Sequence, residues 1–151
     1  MGIRIDLVRT SGQFTLDGQS FDVENNVWLV GDDEEVIVID AAHDHVPIIA
    51  AVNGRRVRAI VLTHGHNDHI TAAVALREAT GAPIWFNPAD GMLWDVVHPD
   101  SAPDRELTEG TTFDRSASIV VSSPCPVLTT VSAGSVSSRV RIDSTIVGWS
   151  L

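Results

Sequence analysis

The sequence predicts a layered α/β domain, and three observations carry that prediction. Val36-Ile-Val-Ile39 and Arg58-Ala-Ile-Val-Leu62 are short apolar, β-branched runs with a helical segment between them, a β-α-β unit from Val36 to Leu62. Four candidate metal ligands, His64, His66, Asp68 and His69, follow the second run within six residues. That is the strand end where ligand sites of layered α/β proteins collect. At 151 residues the chain fits one domain, 1–151, and can bury a sizeable core.

Taken in order, residues 12–17 and 26–31 read as strands, and the acidic Gly31–Glu35 stretch as an exposed hairpin turn. Val36–Ile39 shows no polar alternation, so it is expected to be covered on both faces. Asp40 ends it. In Ala41-Ala-His-Asp-His45, Asp44 is a candidate N-cap. The helix expected over Pro47–Gly54 has Pro near its start and Gly at its end. Arg55-Arg-Val-Arg58 reads as a solvated, charged approach to the next strand. Ile70–Thr80 has helix-forming composition, stopped by Gly81 and Pro83. Pro83-Ile-Trp-Phe86 is the following strand, and Ala89–Val97 a helix that turns Met92, Leu93 and Trp94 toward the core or a pocket rim. His98 is expected in a surface loop and Asp104–Gly110 as a charged turn.

The spacing His-x-His-x-Asp-His places three imidazoles and a carboxylate at the mouth of a strand. These donors suit zinc, manganese or iron, and three or four protein ligands with an open position make a catalytic centre. Residues two apart in an extended segment point the same way, so His64 and His66 share a side. Asp68 and His69 can then diverge toward a second ion about 3.5–4 Å away. The alternative is a polar loop whose histidines cap the next helix. A lone histidine would favour that; this spacing does not.

Thr63-His-Gly-His-Asn-Asp-His69 resembles the signature of the metallo-β-lactamase superfamily, and the flanking segments look most like its glyoxalase II-like small hydrolases. The resemblance covers about residues 20–114. It implies an αββα sandwich and hydrolysis of a small-molecule ester, thioester, lactone or amide at one or two zinc ions, with iron or manganese as alternatives. It makes His64, His66, Asp68 and His69 metal ligands, and Asp68 also the catalytic group that holds the attacking water. Asp40 matches the superfamily's first acidic position, whose carboxylate orients the metal loop from behind, with Thr63 beside it. A plain polar strand end is the competing reading of Asp40. His43 falls where some small hydrolases line their pocket. An iron-dependent persulfide dioxygenase of the same fold, using two histidines and one carboxylate, is a further alternative.

Residues 115–151 depart from the resemblance. Residues 1–114 hold 7 Arg against 19 acids, whereas 115–151 hold 3 Arg against Asp143 alone, with ten Ser and no His. Relatives supply there a His-Thr/Ser-Pro-Gly-His motif, a Gly-Asp-Thr/Ser whose Asp bridges two metals, and a final His. This chain has Val121-Ser-Ser-Pro-Cys-Pro-Val127 and Ser144-Thr-Ile-Val-Gly-Trp149, with Trp149 in the Asp position. Gly134–Val136 and Ser144–Val147 still look like the family's strands around those motifs. Two readings follow: a divergent, shortened member with an inactive remnant of the site, or an out-of-frame reading of a gene for a full hydrolase. The abrupt loss of every expected ligand, with a Ser-rich and acid-poor composition, fits the second.

A formal charge of −10 argues against nucleic-acid partners, which need clustered cations. The sequence shows neither a signal peptide nor a long apolar span, so no membrane association is expected. Cys125 alone excludes an internal disulfide, reads as an inert thiol in Ser-Pro-Cys-Pro, and fits a reducing, cytoplasmic setting.

Overall fold

The chain begins with a hairpin of two 13-residue strands, β1 (Arg4–Leu16) and β2 (Gln19–Gly31), paired antiparallel from Arg4↔Gly31 to Leu16↔Gln19. Its turn, Asp17-Gly18, takes φ of 51° and 76°, the two left-handed positions a two-residue turn needs to follow strand twist. The strands expected over 12–17 and 26–31 are therefore the far ends of much longer ones. The structure, a computed structural model, describes residues 2–108, Thr111 and Phe113, together with the strand backbone at 118–122, 128–132 and 139–143.

The acidic turn lies where expected, with Asp32 Oδ1 accepting from the amides of Glu34 and Glu35 at 2.8 Å each. It leads into β3 (Glu35–Ile39), antiparallel to β2. β4 (Arg56–Val61), β5 (Ile84–Phe86) and β6 (Arg105–Glu106) then add in parallel, giving one mixed sheet in the order β1-β2-β3-β4-β5-β6. β6 occupies part of the expected 104–110 turn, because Asp104 and Leu107 donate to the Ile84 and Phe86 carbonyls and extend the sheet edge. Residues beyond 114 contribute a separate antiparallel sheet, β7 (Ser118–Ser122), β8 (Leu128–Ser132) and β9 (Arg139–Asp143). Cys125, Trp149 and the segments 134–136 and 144–147 lie outside the described residues.

The apolar run of β3 is covered on both faces, as its composition demands. Val36 and Val38 join one buried cluster with Leu29, Ile60 and the helices, while Ile37 and Ile39 join a second with Val30, Val61 and Leu107. The helices α1 (His45–Val52), α2 (Asn67–Ile70), α3 (Ala73–Thr80) and α4 (Gly91–Val97) all send side chains into the first cluster: Ile48, Ile70, Leu76 and Trp94 among them. Asp44 caps α1 by accepting from Val46 N at 2.9 Å. The single helix expected over 70–80 is broken, because the Ala72 amide turns away to donate to Ala41 O at 3.0 Å. Of the three α4 residues expected toward the core or a pocket rim, Trp94 is buried in the core, Leu93 is 43% exposed beside Gly65 of the histidine motif, and Met92 is 84% exposed. Among the described residues no helix is long and apolar enough to cross a membrane.

Two surface expectations are corrected. His98 is half-buried: its ring lies 4.6 Å from Trp94, and Nε2 donates to Ile70 O at 2.8 Å, joining the end of α4 to α2. Arg55 is buried rather than solvated. Its guanidinium donates to Val52 O and Ala51 O at 2.9 and 3.0 Å and pairs with Asp6 at 2.9 Å. The planar fork thereby satisfies open carbonyls at the end of α1, which an ammonium could not do in one plane. Arg55→Ala is expected to lose about 2–3 kcal/mol of stability in urea unfolding, since it removes charge-assisted hydrogen bonds from buried carbonyls. A change within about 0.5 kcal/mol, as for an ordinary surface position, would contradict this account.

Candidate metal centre

β3 and β4 run parallel, so their carboxyl ends lie side by side. Asp40 leaves β3 in a left-handed conformation, φ 59°, with its amide donating to Val61 O at 2.9 Å. Its carboxylate meets the first residues after β4. Thr63 N donates to Oδ1 at 2.8 Å, and Thr63 Oγ1 lies 2.8 and 2.7 Å from the two carboxylate oxygens. His69 Nδ1, from α2, completes the set at 3.0 Å from Oδ2.

These contacts fix imidazole tautomers. A carboxylate only accepts, so His69 Nδ1 carries the proton, and in the neutral ring Nε2 keeps its lone pair, 3.2 Å from Asn25 Nδ2. The single hydroxyl proton of Thr63 goes to Asp40, so His64 Nδ1, 3.0 Å from Oγ1, is the donor there. His64 Nε2 is likewise left with a lone pair. The two rings stand 4.2 Å apart. This is the arrangement by which an outer carboxylate or hydroxyl presets a histidine ligand.

Donor atoms of Asp40, His64 and His69 lie within 4.8 Å of one another. Asp40 is already saturated by hydrogen bonds, so we read it as the orienter of that group and not as a ligand. Asp68 is buried on α2, with Oδ2 accepting from Asn25 Nδ2 at 2.9 Å and lying 3.5 Å from His69 Nε2. Its Oδ1 is buried with no hydrogen-bond partner among the described residues. His66 is the exposed residue preceding α2, its ring 4.7 Å from His64 and 5.6 Å from Phe14. An orphaned buried carboxylate oxygen is costly. It belongs to a carboxylate that approaches His69 Nε2 to 3.5 Å, and a donor set of imidazole and carboxylate suits a divalent cation.

Of the residues the sequence singles out, Asp40, Thr63, His64 and His69 are joined by direct contacts, Asp68 lies 3.5 Å from His69, and His66 meets the group through its ring, 4.7 Å from that of His64. Three residues of the site were not among those singled out. Asn25 lies fully buried on β2 behind Asp68. Asp90 Oδ2 accepts from Gly65 N at 3.0 Å, and a Cβ on Gly65 would lie 2.8 Å from that of Leu93, so the motif's glycine is sterically required. Phe14 covers His66 from β1. His43 lies beside the site through Asn25, with Nε2 2.9 Å from its Oδ1.

Burial would raise the Asp40 pKa, but His69, by charge and hydrogen bond, with His64 and the Thr63 amide, holds it below the ordinary carboxylate value. Burial lowers His64 to about 4 against the pull of Asp40. Burial would lower His69 too, but Asp40 and Asp68 raise it above the ordinary imidazole value. In protein stripped by a chelator, the depressed His64 contributes stability present above about pH 6.5 and lost as pH falls toward 4, on the order of 3 kcal/mol. The raised His69 contributes stability present below about pH 6.5 and lost as pH climbs through its folded value. Urea unfolding should therefore show a maximum near pH 6–7, and His64→Gln should flatten the acid limb. An acid limb unchanged in that variant would count against the assignment.

The family model of the metallo-beta-lactamase superfamily matches residues 21–140. A hydroxyacylglutathione hydrolase of Pseudomonas entomophila (strain L48) is 31% identical over 120 residues, covering 70% of this chain and 46% of that protein. A crystal structure of a protein in a di-iron-bound form is similar at 26% identity and a TM-score of 0.56, over 65% of this chain and 56% of that one. A metallo-beta-lactamase from Pontibacter korlensis shares the fold at 18% identity, with a TM-score of 0.60 over 86% of this chain and 67% of that one. The chain spans about a quarter to a half of the length of the curated relatives it matches. Its mixed sheet, its helices and the histidine motif at the end of β4 are thus those of a known αββα architecture, and the chain belongs to the metallo-β-lactamase superfamily.

Proposed function

We propose that this chain carries the metal-binding half of a glyoxalase II-like hydrolase acting on a small-molecule thioester, ester or lactone. The observation that carries the reading is that His64 and His69, each held at Nδ1, bring donor atoms within 4.8 Å of one another at one strand end, with Asp68 Oδ2 3.5 Å from His69 Nε2 and its Oδ1 without a hydrogen-bond partner among the described residues. His64 and His66 would hold one divalent ion, Asp68 and His69 a second. Zinc is the proposed metal, and iron or manganese fits the same donors. An ion bound there would bring the pKa of its water toward neutrality and polarise a substrate carbonyl. Asp68 would accept a hydrogen bond from that water at Oδ1 and hold it toward the carbonyl. Asp40 and Thr63 keep the imidazoles in the ligating tautomer, and Phe14 shields one side of His66. The relatives named hydroxyacylglutathione hydrolase support a glutathione thioester as the substrate class.

A second reading, a remnant that binds metal weakly and turns over nothing, is favoured by Val121–Val127 and Ser144–Trp149, which carry neither histidine nor acid where ligands are expected. Four donors shared by two ions leave two protein ligands each, whereas zinc sites usually have at least three. We also propose that residues 115–151 are an altered remainder of the family's second half. The coding DNA across codons 110–151, read in all frames for His-x-Pro-Gly-His and Gly-Asp, tests that point.

The chain is to be loaded with zinc, iron(II) or manganese and assayed on a hydroxyacylglutathione thioester and a lactone. Metal-dependent hydrolysis is expected, together with near-complete loss of bound metal in His66→Ala and Asp68→Ala but not in His98→Ala. Bound metal without hydrolysis would support the remnant. Iron with oxygen consumption on a persulfide would support a dioxygenase, and equal metal loss in all three variants would sink the ligand assignment.

A further inference from the structure

The metal-centre reading gives no task to a buried amide behind the motif. Asn25 is 0% exposed on β2, an unfavourable place for a polar side chain without partners. It has three. Nδ2 lies 2.9 Å from Asp68 Oδ2 and 3.2 Å from His69 Nε2, and Oδ1 lies 2.9 Å from His43 Nε2. The Asp68 carboxylate offers only acceptors, so the amide nitrogen must face it and the amide oxygen must face His43. His43 must then carry its proton on Nε2. Donation runs from His43 Nε2–H to Asn25 Oδ1, and from Asn25 Nδ2–H to Asp68 Oδ2.

His43 is itself held in place. Its backbone adopts φ 59°, rarely populated by a side-chain-bearing residue. Its ring sits so close to β1 that a Cβ on Gly12 would lie 2.2 Å from Nδ1. Thr10, buried and paired opposite Asn25 in the hairpin, donates to Ala42 O at 2.8 Å and anchors the loop that carries His43. A left-handed histidine, an absent Cβ and a buried amide therefore converge on a single carboxylate oxygen.

We propose that Asn25, locked by His43 in the space left by Gly12, is a positioning residue that aims Asp68. It occupies Oδ2 and so turns Oδ1 toward the metal centre. This rests on the reading of Asp68 as a metal-centre residue, but not on the reaction catalysed there. The same amide keeps Asp68 Oδ2 and His69 Nε2 at 3.5 Å, so it sets the relative placement of two donors at once.

The test uses the full chain labelled with 15N-histidine and stripped of metal. Long-range proton–nitrogen spectra should show His43 as the Nε2–H tautomer and His69 as the Nδ1–H tautomer. Zinc affinity, by competition with a chromophoric chelator, should then fall roughly 10- to 100-fold in His43→Leu and Asn25→Ala, the range for outer partners of metal ligands. His43→Gln, whose amide N–H can replace Nε2–H, should restore affinity to near that of the parent. A role in packing alone would not distinguish Gln from Leu in this way. His43 found as Nδ1–H, His43→Leu binding as tightly as the parent, or His43→Gln failing as badly as His43→Leu would each overturn the proposal. If Asn25→Ala does not fold, the His43 pair decides. A parent that binds zinc yet hydrolyses nothing defeats the hydrolase reading and leaves this one standing. A parent that binds no zinc defeats both.

Discussion

A buried carboxylate at the end of a central strand is the constraint on which this site depends. Asp40 is 4% exposed, and an unpaired charge there would cost several kcal/mol. It is paired instead with the Thr63 amide and hydroxyl and with the His69 imidazole. Those partners come from the end of β4 and from α2, so compensating one charge also fixes where the metal loop begins and how its helix is rotated. It fixes proton positions too. With Nδ1 of His64 and His69 both committed as donors, the neutral rings carry their lone pairs on Nε2.

Such a site costs conformational energy, and the surrounding sheet holds it in place. Asp40 and His43 both have φ of 59°, each worth roughly 1–2 kcal/mol of unfavourable backbone energy for an L-residue. Both lie in the short loop between β3 and α1, bracketed by two of the most buried elements. Val38, Ile39 and Ile48 are fully buried on either side of it. Ala41 and Ala42 lend their carbonyls to Ala72 and Thr10. The loop is therefore pinned from α3 and β1 as well as by its own ends.

What was legible in the sequence was local. The doubly covered β3, the Asp44 cap and the acidic turn each depend on neighbouring residues, and each was legible. Asn25 was not, because its function comes from partners 18, 43 and 44 positions away, which no periodicity signals. A polar Asn-Asn pair inside a strand was the one available hint. Arg55 and His98 were misplaced for a related reason. Both are polar side chains drawn inward by backbone carbonyls that helix ends leave open, and a composition-based reading assigns such residues to solvent. The hairpin's Asp17-Gly18 turn was not anticipated, since the expected strand ran through Asp17. The alternation around it was too polar to suggest 13-residue strands.

The proposed ligands differ in how much order the fold gives them. His64 is held at Nδ1, His69 at Nδ1 and, through Asn25 3.2 Å away, at Nε2, and Asp68 at Oδ2, so each side chain has little rotamer entropy left to lose. His66 has no side-chain hydrogen bond among the described residues and sits exposed beside Phe14. Its backbone neighbour Gly65 is fixed by Asp90, which places the Cα but not the ring. Ordering that ring costs a fraction of the roughly 1 kcal/mol scale of side-chain entropy, a charge the other three donors have already met in folding. His66 is thus the proposed donor that the fold orients least, and its side chain faces solvent.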